Sequence, residues 1–222
     1  MDDQMRLIIA CEAFKDELAY FKDIIKVEIC WIEHSLHDVP AELNMKIKEI
    51  VRKAEILLKP GSNVLLFFGN CGGALERIQS ETLNLMYPDV HDCIPVILGS
   101  IEKYYRLHSE RPGMFYLNKA WIDSGAGPLG CVRKYTGIYG EVKGWKAAKK
   151  LYRSYTHFML IDNGCYEVEP YRNHVKEACK LFEKEYAEEK GSLDFVYAIL
   201  TNKCGMKKIP ARRQAVFFQE GE

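Results

Sequence analysis

The chain has 222 residues with 31 basic and 31 acidic side chains, so its formal net charge is zero. Hydrophobic residues make up 48% and charged residues 28%, which is typical of a globular protein that can bury a core, and the zero net charge does not imply binding to nucleic acid or an anionic membrane. No apolar run approaches the roughly 20 residues that span a bilayer, and the acidic start Met-Asp-Asp-Gln-Met is unlike a signal peptide. We therefore expect a cytoplasmic protein with neither a nucleic-acid nor a membrane partner.

Apolar periodicity in the first half alternates between strands and helices. It predicts strands at residues 6–10, 27–31, 64–68 and 83–86, and helices at 12–25, 40–59, from about residue 71, and at 94–108. Pro40 suits the first turn of its helix, and the Pro60-Gly61 pair is a stop signal after it.

The second half continues the series. It predicts strands at residues 114–117, 158–161 and 195–200, and a late helix after Pro170 with an apolar stripe at 175–186. Repeated strand–helix units favour an α/β fold, with a doubly wound, mainly parallel, Rossmann-like sheet and one domain over residues 1–222.

One segment, residues 125–153, does not fit this series. Six glycines between residues 125 and 144 indicate a loop excursion or lid, inserted within the domain. Its sequence GAGPLG matches a dinucleotide fingerprint only superficially, because it lacks the strand–helix setting and the later acid. Residues 133–153 combine seven cations with four aromatic rings and one acid, a pattern that suits RNA, an anionic cofactor or a partner protein. The neutral chain charge disfavours nucleic acid.

Eight cysteines occur without a CxxC pair, so any metal site must combine cysteines that are distant in sequence. The chain length and the missing signal peptide favour reduced thiols over disulfides. Cys11, Cys71 and Cys93 each follow a predicted strand. Ligands of open α/β sheets bind at the carboxyl ends of strands, and helix N-termini there favour the thiolate. The sequence therefore predicts that these three thiols share one site.

Histidines follow two of the strands. Asp89 and His91 resemble the start of the Asp-x-His-x-x-Gly loop of corrinoid proteins, although Ile94 occupies the glycine position. His91 remains a candidate metal ligand or proton carrier beside Cys93. His34 and His37 form a loop pair on the predicted ligand edge. Their spacing allows i, i+3 zinc pairing as an alternative, but we interpret them as ordinary loop histidines.

Five blocks, "IIACEAFKDEL", "LLFFGNCGG", "HDCIPVILGSIEKYY", "GMFYLNKAWI" and "FMLIDNG", resemble the successive signatures of domain-of-unknown-function family 1638. The resemblance runs from about residue 7 to 200, and the family's three cysteines fall on Cys11, Cys71 and Cys93. Its usual glycine after the first cysteine is Glu12 here, and its Gly-Leu-Cys-Gly turn contains Asn70.

The family is typical of anaerobes and methanogens and is often encoded near corrinoid-dependent methyltransferases. The resemblance therefore implies a role in methyl transfer or corrinoid handling, with a corrinoid protein or methyltransferase component as partner. We take four residues within the blocks as candidate cofactor-binding residues: His91, Asp92, Trp121 and Asp162.

Three functions remain open. The first is a metal or metallocofactor-binding protein serving corrinoid-dependent methyl transfer, with Cys11, Cys71 and Cys93 holding zinc or an iron–sulfur cluster and with corrinoid as a further cofactor. The second is a metal-free cysteine enzyme acting on a small anionic substrate. The third is a non-catalytic adaptor for methyltransferase components, so catalysis itself stays an open question.

Overall fold

The structure is a computed structural model and describes residues 5–212. Its strands are β1 (Met5–Cys11), β2 (Glu28–Ile32), β3 (Asn63–Phe67), β4 (Asn84–Pro88), β5 (Met114–Leu117), β6 (His157–Asp162), β7 (Glu185–Lys190) and β8 (Met206–Ile209). Its helices are α1 (Lys15–Tyr20), α2 (Pro40–Leu57), α3 (Ile94–Leu98), α4 (Ile101–Glu110), α5 (Lys119–Asp123), α6 (Pro128–Tyr139), α7 (Glu141–Leu151), α8 (Glu169–Phe182) and α9 (Asp194–Leu200).

The mixed α/β class and the mainly parallel pairing are confirmed, but the strands form two sheets and not one doubly wound sheet. The first sheet has the order β2-β1-β3-β4-β8 and is parallel except for the antiparallel pair β4–β8. The second has the order β5-β6-β7 and is parallel throughout.

The described residues divide into two compact units, each containing one sheet. The first unit consists of residues 5–14, Phe21–Cys93 and 197–212, and the second of Lys15–Tyr20 and Ile94–Val196. The interpretation of residues 1–222 as a single domain stays a prediction.

Burial explains the central elements of the first unit. Every residue of β3 is buried, which is typical of a parallel strand covered on both faces. Helix α2 begins at Pro40 as predicted and buries one side, comprising Leu43, Ile47, Ile50, Val51 and Ala54. The Phe14 and Phe67 rings pack edge to face at 4.8 Å between centroids.

The second unit has its own core around β6 and α8. Tyr152, Phe158 and Phe182 pack against one another with ring centroids 5.2–5.7 Å apart. Leu129 of α6 and Ala148 of α7 belong to the same buried cluster.

The expectation of a glycine-rich loop at residues 125–153 was wrong, because this segment forms helices α6 and α7. Two of its glycines permit close backbone contacts and do not loosen the chain. A Cβ atom on Gly144 would lie 2.4 Å from Thr136 Cα, and one on Gly130 would lie 2.0 Å from the Gly125 oxygen. Gly140, with φ of 77°, joins the two helices.

Other boundaries also differ from the sequence prediction. Residues 195–200, predicted as a strand, belong to helix α9, in which Val196 and Ile199 are buried at a helical spacing of three. The helix predicted at 94–108 is divided into α3 and α4 at Gly99, whose φ is 79°. The helix predicted from residue 71 is only the 3-10 turn Cys71–Gly73.

The remaining differences concern short or polar elements. Helix α1 covers only part of the predicted segment 12–25, and its first residues form the 3-10 turn Glu12–Phe14. Strand β7, with the sequence EYAEEK, lies at a sheet edge and lacks the apolar pattern of a buried strand. None of the helices within residues 5–212 has the length and apolar character needed to cross a membrane.

Candidate functional site

Four neighbouring strands of the first sheet lead into one cluster of side chains. Cys11 ends β1, Cys71 lies in the turn after β3, and Cys93 follows β4. His37 lies in the 3-10 turn His34–Asp38 that follows β2. Because β2, β1, β3 and β4 are adjacent and parallel, their carboxyl ends share one sheet edge.

His37 connects the sulfur atoms. Its Nε2 lies 3.0 Å from Cys11 Sγ, and its side chain also hydrogen-bonds to Cys71. Cys93 in turn hydrogen-bonds to Cys71. The structure therefore brings together the three cysteines that the sequence selected and adds a histidine that the sequence analysis treated as a loop residue.

Gly69 makes the approach of Cys71 to Cys93 possible. A Cβ atom on Gly69 would lie 2.1 Å from the carbonyl carbon of Asp92, so only glycine fits at this point. The Asn70 N–H donates to the Val90 oxygen at 3.1 Å and joins the same two loops. The loop after β3 is thus held directly against the loop after β4.

Gly72 permits a similar close approach, here between the Cys71 turn and the residues that follow His37. Its φ is 58°, and a Cβ atom there would lie 2.6 Å from Pro40 Cγ. Pro40 begins α2, three residues after His37. The turn that carries Cys71 therefore packs against the start of α2, close to His37.

These contacts shift the pKa values of Cys71, His37 and Cys93 in different directions. The hydrogen bond from Cys93 lowers the pKa of Cys71 to about 5, although burial alone would raise it. His37 also lowers this pKa, through its hydrogen bond and its charge. Burial would lower the pKa of His37, but hydrogen bonds to Cys11 and Cys71 and the charge on these sulfurs raise it to about 10. The hydrogen bond to Cys71, together with burial, raises the pKa of Cys93.

At neutral pH the cluster is consequently a Cys71 thiolate beside a His37 imidazolium, with the Cys93 S–H donating to the thiolate. Cys11 is 1% exposed and accepts a hydrogen bond from the Ala13 N–H at 3.3 Å, and Cys93 is 6% exposed. Cys71 is half-buried and is the most exposed of the three cysteine residues.

The cluster is not arranged as a metal site as it stands. Within residues 5–212, no group of three or more His, Cys, Asp or Glu side chains is placed to hold a metal ion. All eight cysteines lie in this range, and none of them is joined to another by a disulfide.

The sequence-predicted residues next to Cys93 lie at its margin. The His91 side chain is 80% exposed, and its Nδ1 lies 3.4 Å from Asp92 Oδ2. Asp92 is half-buried, and its negative charge opposes ionisation of Cys71. A cofactor-binding role for either residue stays a prediction.

Trp121 and Asp162 belong to the second unit, where both support local structure. Asp162 ends β6 and accepts a hydrogen bond from the Gly164 N–H at 3.1 Å. The backbone N–H of Trp121 donates to Asn118 Oδ1 at 3.0 Å, so the Asn118 side chain caps α5. Their cofactor-binding role also stays a prediction.

The second unit contains a buried acid that the sequence analysis did not single out. Glu17 on α1 is 0% exposed. Its Oε1 accepts a hydrogen bond from Asn163 Nδ2 at 2.6 Å, and its side chain also hydrogen-bonds to Asn118. Asn118 and Asn163 directly follow β5 and β6, so polar residues at strand ends were the signal that could have revealed this cluster.

These features define an α/β protein with a cysteine–histidine cluster at the carboxyl edge of a mainly parallel sheet. The profile of the family described as "Protein of unknown function (DUF1638)" matches residues 31–200, and the chain belongs to this family. Comparisons with curated proteins and with solved structures found no match. The matched range includes His37, Cys71 and Cys93, whereas Cys11 precedes it.

Proposed function

We propose that Cys11, His37, Cys71 and Cys93 form the functional centre of the protein and bind a thiophilic metal ion or metallocofactor. The observation that carries this proposal is the hydrogen-bonded contact among three cysteine sulfurs and one imidazole. These residues lie at or after the carboxyl ends of four adjacent strands. Three thiolates and one histidine are a ligand set for zinc, and an iron–sulfur cluster with one non-cysteine ligand is the alternative.

The donor types of the cluster suit a thiophilic metal, but the Cys11–His37 spacing is that of a hydrogen-bonded pair and not of two metal ligands. Bond lengths of about 2.3 Å to sulfur and about 2.0 Å to nitrogen place tetrahedral zinc ligands about 3.5 Å apart. The Cys11–His37 contact of 3.0 Å is shorter, as expected when a proton and not a metal lies between the atoms. Metal uptake would release the proton of this hydrogen bond and move Cys11 Sγ and His37 Nε2 about half an ångström apart.

Each residue of the cluster has a task in this proposal. Cys71 supplies a thiolate at neutral pH, and Cys11 and Cys93 supply two further sulfurs from buried positions. His37 provides the nitrogen ligand or, if a substrate takes the fourth position, a proton carrier beside that position. A zinc ion held there would supply Lewis-acid activation of a bound thiol.

Elemental analysis of protein purified without oxygen tests the proposal. We expect about one zinc or one iron–sulfur cluster per chain, with strong loss in Cys71→Ala and His37→Ala. Cys30→Ala is the matched control, because Cys30 is a half-buried thiol on β2 outside the cluster. Full metal content in a Cys11→Ala/Cys71→Ala/Cys93→Ala variant would rule the proposal out.

The thiolate–imidazolium pair favours a second function, that of a metal-free cysteine enzyme. A thiolate stabilised by His37 and Cys93 is a nucleophile ready to attack a small electrophilic substrate. Protein that contains no metal after anaerobic purification, yet is rapidly alkylated at Cys71 alone near neutral pH, would support this function over the first.

The link to corrinoid-dependent methyl transfer rests on the family resemblance. In this proposal a corrinoid protein or methyltransferase component is the partner, and the basic helices α6 and α7 contact it. Lys146, Lys149 and Lys150 lie on α7. Replacing the three with glutamine should weaken capture of a purified corrinoid protein.

A further inference from the structure

The first unit contains a second feature with ligand-binding character, a small groove between α2 and the segment that follows the Cys71 turn. The groove encloses about 200 Å³. Four cations line it, namely Lys48, Arg52, Arg77 and Arg212, together with the acids Glu55 and Glu81. We infer that this basic groove is a binding site for a small phosphate-type anion.

The charges of the groove are only partly compensated within the protein. Glu81 Oε1 lies 3.1 Å from Arg212 Nη1, so these two groups neutralise each other. Glu55 Oε1 accepts hydrogen bonds from the Ser80 hydroxyl and, at 2.6 Å, from the Glu81 N–H. Both acids therefore already have partners within the protein, and these contacts stabilise the wall of the groove.

The other cations have no such partner. Within residues 5–212, Lys48, Arg52 and Arg77 take part in no ion pair. Lys48 and Arg52 are four residues apart on α2, so two like charges project from the same side of the helix. Such an arrangement weakens a helix, whereas an anion held between the side chains would relieve the repulsion.

Arg77 adds a backbone observation. Its φ is 56°, in the left-handed region where a long side chain is uncommon. Local strain of this kind persists where surrounding structure imposes it and concentrates at ligand sites. Here the strained residue places an arginine, the side chain best suited to phosphate oxygens, at the wall of the groove.

The size of the groove limits its ligand. Pockets for drug-sized molecules enclose about 300–1,000 Å³, so a volume of 200 Å³ suits inorganic phosphate, pyrophosphate or the phosphate end of a larger molecule. The lining side chains offer donors to phosphate oxygens, and none of them belongs to an apolar residue that would hold a ring system.

Calorimetric titration of the intact protein with pyrophosphate at low ionic strength tests the inference. We expect binding that weakens with added salt and weakens at least about tenfold in Arg52→Gln/Arg77→Gly, which removes two charge-assisted contacts. Glycine at residue 77 suits the left-handed backbone, so this variant should fold. Lys53→Gln, which removes a cation engaged with Glu49 at 2.6 Å on the same helix, should bind within about twofold of wild type.

Cys71→Ala should bind pyrophosphate unchanged, so this experiment is independent of the proposed metal centre. ADP binding more tightly than pyrophosphate would identify a nucleotide as the source of the phosphate group, and equal affinity would identify a free phosphate compound. No binding to wild type at low salt, or equal binding by wild type and the double variant, would overturn the inference.

Discussion

His37 and Cys71 hold each other in their charged forms. The pKa of Cys71 is lowered to about 5 by Cys93 and then His37, and the pKa of His37 is raised to about 10 by Cys11 and Cys71 against burial. Between these values the pair remains a thiolate and an imidazolium. Removal of the imidazole should therefore raise the pKa of Cys71 and reduce the fraction of thiolate at neutral pH.

Alkylation of metal-free protein measures this coupling. We expect the rate for Cys71 to stay high at neutral pH and to fall as acidification through about pH 5 protonates the thiolate. In His37→Gln the loss of the positive charge should raise the pKa and move the midpoint toward neutral pH. His34→Gln is the matched control, because its ring stacks on His37 at 5.3 Å; an equal shift in both variants would contradict the specific role of His37.

The buried carboxyl group of Glu17 should make the folding stability depend on pH. Burial raises its pKa to about 7 despite the hydrogen bond from Asn163. Ionisation is therefore more costly in the folded than in the unfolded protein, and stability should fall as pH rises from about 4.5 to 7. Glu17 Oε2 is buried without a hydrogen-bond partner among the described residues, which adds to that cost.

Urea unfolding at pH 5 and pH 8 tests this sign. Glu17→Gln removes the ionisation, so the free energy of unfolding should vary less with pH and exceed that of wild type at pH 8 by up to about 3 kcal/mol. Asp16→Asn is the neighbouring control, because Asp16 forms a partly exposed ion pair with Lys119 at 2.9 Å. A pH dependence that is unchanged in Glu17→Gln would contradict the assignment.

At the scale of secondary-structure elements, Gly69 controls how the loops after β3 and β4 meet. Gly69→Ala would place a Cβ atom 2.1 Å from the Asp92 carbonyl carbon. We expect a loss of about 1–3 kcal/mol or more in unfolding free energy, together with lower metal content, because the loops must separate. Chemical denaturation and elemental analysis measure both effects.

Gly137→Ala serves as the control for this substitution. Gly137 lies in α6, and a Cβ atom added there would meet no atom within 4 Å among the described residues beyond its chain neighbours and the adjoining backbone of its own helix. Alanine at this position should stabilise the helix by about 0.5–1 kcal/mol and leave the metal content unchanged. Similar losses in the two variants would show that glycine at 69 has no special role.

The sequence was sufficient to predict those elements whose buried residues form a recognisable apolar pattern within one short stretch of chain. Strands β1 and β3 and helix α2 follow from apolar runs and caps, and the three cysteines were selected because each follows such a strand. His37 could not be selected in this way, since its proximity to Cys11 depends on β2 lying beside β1, an order of strands that the sequence does not encode locally. Helices α6 and α7 were missed because glycines that permit close backbone packing resemble loop glycines.

At the scale of the whole molecule, the proposed metal centre predicts that the two units respond differently to zinc. A ligand that binds only the folded first unit stabilises it by about 2.7 kcal/mol at a concentration one hundred times its Kd. Hydrogen exchange should therefore slow in residues 11–14, 33–40, 70–74 and 90–93 on zinc addition, while exchange in β6 of the second unit stays unchanged. Equal slowing in both units, or none in the cysteine segments, would contradict a site confined to the first unit.

The division of the chain also constrains the order in which the protein forms during synthesis. The first unit takes residues 5–14, Phe21–Cys93 and 197–212 from three stretches of chain, and β8 pairs with β4 across more than a hundred intervening residues. A ribosome releases β1 through β4 early, but their antiparallel neighbour emerges only after the whole second unit. Helix α1 must likewise wait for residues 94–196. The two units therefore cannot mature one after the other, and a nascent chain halted near residue 150 would leave both incomplete, with the β4 edge open to other strands.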